Sequence, residues 1–440
     1  MFKRILLALV LLLVAAGIYN YPKLNIIAGY ASKNIASTVF ISHRDFNSIV
    51  TNDNDVPLVK LAEAHMLSDG ADASVFGLMK RKTVCREGLG CVLINSTYDA
   101  DKALPSPHRN RSDNGLPFPF GNHGVQDTLF ENVDYEKIKT AIDGAFENNG
   151  LQKTRTVLVA YKNNILMERY AEGFSKDTPI LGWSMTKSVL ATLYGILQYQ
   201  EQLNVNDYAP IEFWQGDERH KITIDHLLRM QSGLAWDEDY ASISDVTRML
   251  FLDTDMTKAQ ARKKAIAAPT EIWNYSSGTT NLLSGILRSR FDPLQDYLDF
   301  PYTALIDRIG MYSMLIEADM AGNYVGSSYG WATTRDWAKF GLLYLNEGSW
   351  NGDQLFHPSW VDYVAKPTAH SDGTYGAHFW LNANGKYPNV PKDLYSANGF
   401  QGQYVFIIPS KDLVVVRTGL AEAPDFNVDK FLKEVIAAID

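Results

Sequence analysis

Trp183-Ser184-Met185-Thr186-Lys187-Ser188-Val189-Leu190-Ala191-Thr192-Leu193-Tyr194 is the stretch that decides how this chain folds and what chemistry it carries. The apolar residues after Lys187 (Val189, Leu190, Leu193, Ile196, Leu197) recur with helical period, which predicts a buried helix starting at or just before Ser184. Ser184 and Lys187 are three residues apart, and residues at that spacing share a helix face. A lysine amine beside a serine hydroxyl is a base beside a nucleophile. Burial favours the neutral amine, which then accepts the hydroxyl proton. The free N–H groups at the helix start add positive potential where an oxyanion would form. Alone, the pattern is weak, because a serine cap followed by a solvated lysine needs no chemistry. The rest of the chain has to supply the context.

With 440 residues, 46% of them hydrophobic and 21% charged, the chain has room for a large core and more than one domain. A formal net charge of −9 leaves no basic footprint, so binding to nucleic acid is not expected. The N-terminus reads Met1-Phe2-Lys3-Arg4 and then runs uncharged from Ile5 to Ile18, a cationic segment followed by an apolar one, as in export signals. As a helix this run rises about 21 Å, short of a hydrocarbon core of about 30 Å unless Tyr19 to Tyr21 extend it. Cleavage near Val14-Ala15-Ala16 or Gly29-Tyr30-Ala31, and retention as an inner-membrane tether through residues 5–21, are both open. The only cysteines, Cys85 and Cys91, lie close together in an exported chain, which favours a structural disulfide over a metal pair, since no histidine or further cysteine stands nearby in sequence.

Residues 1–22 therefore read as signal peptide or anchor. Residues 23–125 read as an N-terminal extension that holds the Cys85–Cys91 loop and ends in a linker rich in Pro, Gly and Asn between Leu104 and Gly124. A catalytic domain is expected over 126–440. Within it, two β-rich runs flank Lys162-Asn163-Asn164, and two more, starting at Gln403 and at Leu413, flank Pro409-Ser410-Lys411-Asp412; both have the pattern of hairpins. Val428 to Ile439 is amphipathic and predicts a closing helix. Strands at both ends, with helical and loop-rich sequence between them, give an α+β class: an antiparallel sheet flanked by helices, with a mostly helical insertion.

Four segments in order resemble the serine β-lactamase and penicillin-binding-protein superfamily. The likeness is to its class C β-lactamase-like branch, and the motifs are most similar to those of the nylon-oligomer (aminohexanoate-dimer) hydrolases. They are Trp183-Ser184-Met185-Thr186-Lys187-Ser188; Ile222 to Leu234, with His226, Ser232 and Gly233; Trp273-Asn274-Tyr275-Ser276-Ser277-Gly278; and Trp331 to Leu345. The resemblance covers about residues 130 to 440 and implies a β-lactamase/DD-peptidase-like fold. It also implies an acyl-enzyme on Ser184 and proton transfer by Lys187 and Tyr275. No metal or organic cofactor is implied.

Two departures bear on substrate. Ser277 stands where the family has an asparagine that contacts the substrate, and Ala397-Asn398-Gly399 stands where it has a cation that holds a substrate carboxylate. The sequence Gly399-Phe400-Gln401-Gly402-Gln403 is similar to the nylon-oligomer hydrolases, which implies an oxyanion hole from the N–H groups of Ser184 and Phe400. Asp237-Glu238-Asp239-Tyr240 also resembles that subgroup, with Tyr240 as a substrate contact; its bland reading is a solvated acidic loop. His226, beside Thr223 and Asp225 at a helix start, reads as structural. The expectation is an exported serine hydrolase acting on a small amide or ester. A D-amino-acid peptidase directed at peptidoglycan, or a penicillin-recognising protein, is the alternative.

Overall fold

A computed structural model describes residues 2–112, 114–421 and 425–440, which fall into two compact units. The first gathers the residues up to 103 with Asp237–Met256 and Ala318–Gly322. Its helix α1 (Phe2–Ser42) has two halves of different character. Ile5, Leu6, Leu7, Leu9, Leu11 and Leu12 are exposed, whereas Ala28, Ala31, Ile35 and Ala36 are at most 1% exposed. The buried half lies on a four-stranded antiparallel sheet of β1 (Ala62–Leu67), β2 (Gly70–Val75), β3 (Leu78–Arg86) and β4 (Gly90–Ile94), in that order. Small residues let the helix approach: Ser32 Oγ donates to Ala71 O at 3.0 Å, and a Cβ on Gly29 would stand 2.9 Å from Leu93 Cδ2. Cys85 and Cys91 face each other across β3 and β4 and are joined by a disulfide. By length and composition α1 is able to cross a membrane.

Two later stretches of chain are stitched into this unit. Arg81 donates to Phe251 O at 2.9 Å and Arg86 to Asp319 O at 2.9 Å. The Pro-rich stretch after Leu104 belongs to the second unit, where Arg109 makes a bidentate pair with Asp307 and the Asn110 N–H donates to the same carboxylate. A buried guanidinium–carboxylate pair fixes it as a strap. The first unit's N-terminal stretch thus ends at Ala103.

The second unit is built on a six-stranded antiparallel sheet. Among its elements, those that frame the sheet and the site are, in chain order, α2 (Tyr135–Ala145), β5 (Thr154–Tyr161), β6 (Asn164–Tyr170), α3 (Met185–Tyr199), α4 (Ile224–Leu228), α5 (Ser277–Arg288), α6 (Thr334–Leu345), β7 (Trp380–Leu381), β8 (Tyr395–Gly399), β9 (Gln403–Ile408), β10 (Leu413–Gly419) and α7 (Val428–Ile436). The strand order is β7-β8-β9-β10-β5-β6. Val157, Val159, Phe406, Ile408, Leu413 and Val415 pack against α2 and α7 on one face. On the other lies α6, so close that a Cβ on Gly341 would stand 2.6 Å from Val414 and 2.8 Å from Val405. With both faces covered, β5 is buried at every position and reads as a continuous run instead of an alternation. Helix α3 is buried from Met185 to Leu197, Lys187 included.

Candidate active site

Ser184 is the N-cap residue of α3, and the turn before it is held tightly. Trp183 has φ 47°, a left-handed conformation that costs a residue with a Cβ about 1–2 kcal/mol. The surroundings over-determine it. Thr186 Oγ1 donates to Trp183 O at 2.7 Å and accepts the Gly330 N–H at 2.9 Å, while the Gly182 N–H donates to Gly330 O at 2.8 Å. Gly182 has no room for a side chain, since a Cβ there would be 2.4 Å from the Trp337 ring. The half-buried Ser184 hydroxyl is therefore presented from a fixed turn at the head of a buried helix.

Lys187, one turn on, is 1% exposed. Its Nζ donates to Ser184 Oγ, Ser277 Oγ and Ser327 O, each at 2.9 Å. Those acceptors come from three elements. Ser277 opens α5, whose N-cap Ser276 accepts the Thr279 N–H, and Asn281 in the same helix accepts the Ser327 N–H at 3.1 Å. Ser277 is fully buried with its hydroxyl on the lysine, which accounts for a short side chain where the family pattern has an amide. The Tyr275 ring lies beside the amine, its centroid 5.0 Å from Nζ. Trp273, Tyr375 and Trp380 pack around that tyrosine at 5.3–6.5 Å between ring centroids and build an aromatic wall.

The edge of β8 runs past the nucleophile turn. Gly399 comes so near that a Cβ would stand 2.1 Å from Gly182 O, and the Phe400 ring packs edge-on against Trp183 with centroids 5.7 Å apart. Ala397 is fully buried opposite Val405 and brings no charge. Asn398 is paired with Tyr404, so its side chain takes the other face of the sheet from Ala397 and Gly399. Tyr240 belongs to the other unit, where its hydroxyl donates to Glu238 Oε1 at 3.3 Å. His226 caps α4: its Nδ1 accepts the Thr223 N–H at 3.1 Å while Thr223 Oγ1 accepts the His226 N–H.

Sequence reading passed over His378 and Ser327. His378 is buried, with Nδ1 against Leu228 O at 2.6 Å and Nε2 against Thr280 Oγ1 at 3.0 Å, and its own carbonyl accepts Ser188 Oγ at 2.6 Å. A carbonyl at Nδ1 assigns the proton there, so Nε2 accepts from Thr280. Burial, with a smaller contribution from the Lys187 charge, pushes its pKa down to about 3. It is a neutral brace between α3 and α5 and not a base. Neither residue stands in a local pattern, so no sequence signal marks them.

The sequence profile of the beta-lactamase family matches residues 142–434. Over 304 residues the chain is 23% identical to a 6-aminohexanoate-dimer hydrolase of Paenarthrobacter ureafaciens, spanning 62% of this chain and 74% of that protein. The structure is similar to that of a Bacillus anthracis protein assigned as a 6-aminohexanoate-dimer hydrolase, with a TM-score of 0.58 and 20% identity over 67% of this chain and 80% of the other. It is also similar to a family VIII carboxylesterase, with a TM-score of 0.53 and 15% identity over 72% of this chain and 98% of the other. At these identities the structural likeness speaks for the fold.

Proposed function

Because the chain belongs to the beta-lactamase family of serine hydrolases, we propose that it is an exported enzyme that cleaves an amide or ester through an acyl-enzyme on Ser184. The observation that carries this reading is the 2.9 Å contact between Lys187 Nζ and Ser184 Oγ inside a fixed, buried turn. Ser184 Oγ attacks the carbonyl carbon while its proton passes across the 2.9 Å contact to Lys187 Nζ, which in its neutral form accepts from the hydroxyl and donates to the other two oxygens. The N–H groups of Ser184 and Phe400 face the oxyanion; Gly399 beside Gly182 supports that placement. Tyr275, beside the amine, returns the proton to the leaving group, and the lysine and the phenol act as a coupled pair. Water then attacks the ester on Ser184, restoring the hydroxyl and releasing the acid.

Simple acyl esters and small amides are the favoured substrates. Ala397 supplies no cation for a carboxylate, and the Ser277 hydroxyl is engaged by Lys187. Losing one charge-assisted hydrogen bond, about 1.5–3 kcal/mol, is a factor of roughly 10 to 150, and the missing asparagine contact adds to it, so β-lactams are expected to react at least about 100-fold less efficiently. Turnover on a panel of p-nitrophenyl esters, short amides, D-amino-acid peptides and nitrocefin, with Ser184→Ala as the control, tests this. Efficient nitrocefin hydrolysis without esterase activity would refute it.

The helix also bears on location. Cleavage at Gly29-Tyr30-Ala31 would cut α1 inside its buried half, where Ala28 and Ala31 pack on the sheet. That argues against cleavage there; the exposed apolar half is either cut near Val14-Ala15-Ala16 or retained as a tether that leaves the enzyme on the outer side of the inner membrane.

A further inference from the structure

A cation buried in the middle of the sheet grips the turn that carries Phe400. Arg417, in β10, is 0% exposed. Its Nη1 donates to Gly402 O at 2.7 Å and to Gln401 O at 3.4 Å; its Nη2 donates to Gln152 O at 2.7 Å and to Thr154 Oγ1 at 2.8 Å. Its Nε is buried without an acceptor, and Cζ lies 4.5 Å above the Phe426 ring. All of these acceptors are neutral. Burial lowers its pKa to about 9, so it is still cationic at neutral pH. Burying a charge without a carboxylate is costly, and an apolar residue of similar size would serve a simple core better.

The room for this guanidinium is made by two glycines. A Cβ on Gly402 would stand 2.5 Å from Nη1, and one on Gly419 would stand 2.5 Å from Nη2 and 2.6 Å from Cζ. What the guanidinium grips is the turn between β8 and β9, where Gln401 (φ 62°) and Gly402 (φ 83°) are both left-handed. Gln403 grips the same turn from its other end. Its Nε2 donates to Phe400 O at 3.1 Å and also to Gly419 O, while its Oε1 accepts the Gly419 N–H at 3.1 Å. Three successive carbonyls, those of Phe400, Gln401 and Gly402, are thus held by two buried side chains. The residues just before them are the ones that meet the nucleophile turn: Gly399 against Gly182 O and Phe400 against Trp183.

We propose that Arg417 and Gln403 are positioning residues for catalysis, a clamp that fixes the turn after Phe400 so that the Phe400 N–H stays aimed at the oxyanion. The inference rests on the acyl-enzyme reading above. An oxyanion donor acts through its preorganisation, because a donor that has to reorient as charge develops gives up most of its advantage. A turn with two left-handed residues and no such clamp would relax. Arg417 touches neither substrate nor Ser184; it acts through the turn.

The test uses Gln403→Glu, which keeps an acceptor for the Gly419 N–H and removes the donor to Phe400 O, together with Arg417→Lys. Leu432→Ala, in the core away from the turn, serves as a control for lost stability. On a p-nitrophenyl ester, both turn variants should lower kcat by about 10- to 100-fold with little change in KM, less than deletion of an oxyanion donor does. They should weaken inhibition by a boronic acid, which mimics the tetrahedral oxyanion, by the same factor. Leu432→Ala should lower Tm and leave kcat and the boronic-acid affinity unchanged. If Gln403→Glu folds and keeps wild-type kcat and boronic-acid affinity, the clamp is a structural brace only and the proposal fails; this variant decides even where Arg417→Lys does not fold. A Ser184→Ala enzyme that still turned over the ester would overturn the acyl-enzyme reading itself, and the clamp with it.

Discussion

Replacing Gly399 by alanine asks whether the strand edge serves the chemistry or only the fold. The added Cβ would lie 2.1 Å from Gly182 O, and a carbon–oxygen contact needs about 3.3 Å, so the two segments have to part by about 1 Å. The obstacle is a backbone carbonyl, which no rotamer change removes. Gly399 is not left-handed, so alanine brings no strain beyond this clash. The overpacking should cost the fold about 1–3 kcal/mol. A displacement of about 1 Å in a group that stabilises the transition state costs on the order of 100-fold in rate, or about 2.7 kcal/mol of barrier. Steady-state kinetics on a p-nitrophenyl ester, with Tm measured on the same samples, reads both effects. Gly216→Ala, where an added Cβ meets nothing within 4 Å, is the control. A folded Gly399→Ala enzyme with kcat/KM within roughly twofold of wild type would show that the Phe400 edge does not bind the oxyanion.

Further expectations concern other groups. Lys187→Ala should slow acylation by about 10²- to 10⁴-fold, as loss of a general base does, and a near-wild-type rate in single-turnover measurements would mark the lysine as structural. His378 binds no proton in the folded state until about pH 3 against an ordinary value of 6.5, so the unfolded chain takes up the proton first. The stability it contributes is complete above 6.5 and drains away as pH falls toward 3, on the order of 3 kcal/mol by about pH 4. In urea titrations at pH 7 and 4, His378→Gln should therefore lose less stability on acidification than wild type, and equal losses would contradict the assignment. Non-reducing peptide mapping of protein from the cell envelope should recover Cys85 cross-linked to Cys91; two freely alkylated thiols would remove the redox support for export.

The legible parts of this chain are those in which local pattern and tertiary role coincide. The runs at Thr154, Gln403 and Leu413 form strands because β-branched residues there fill a core closed on both faces, and their turn residues fixed the hairpins. Ser184 and Lys187 were legible because one helical turn brings them together whatever surrounds them. Ser327 and His378 were not, since a backbone carbonyl joins the site through a contact 140 residues apart in sequence and the bracing imidazole through contacts 150 and 98 residues apart. Residues 23–103 hid their sheet for another reason. Only one face meets α1, and small residues such as Ala28, Ala31, Ala71 and Ala73 make that contact, so hydropathy scarcely alternates. Arg417 did leave a trace: a lone cation closing Leu413-Val414-Val415-Val416 contradicts a buried strand unless something there needs it.

Covalent labelling tests the central claim most directly. A fluorophosphonate reacts with an activated serine, and the acyl-enzyme reading places that activation on Ser184 beside Lys187 Nζ. Intact-mass and peptide mass spectrometry of the full chain should find one adduct, on Ser184, absent from Ser184→Ala and formed far more slowly in Lys187→Ala. An adduct on a different serine, or undiminished labelling of Ser184→Ala, would contradict it.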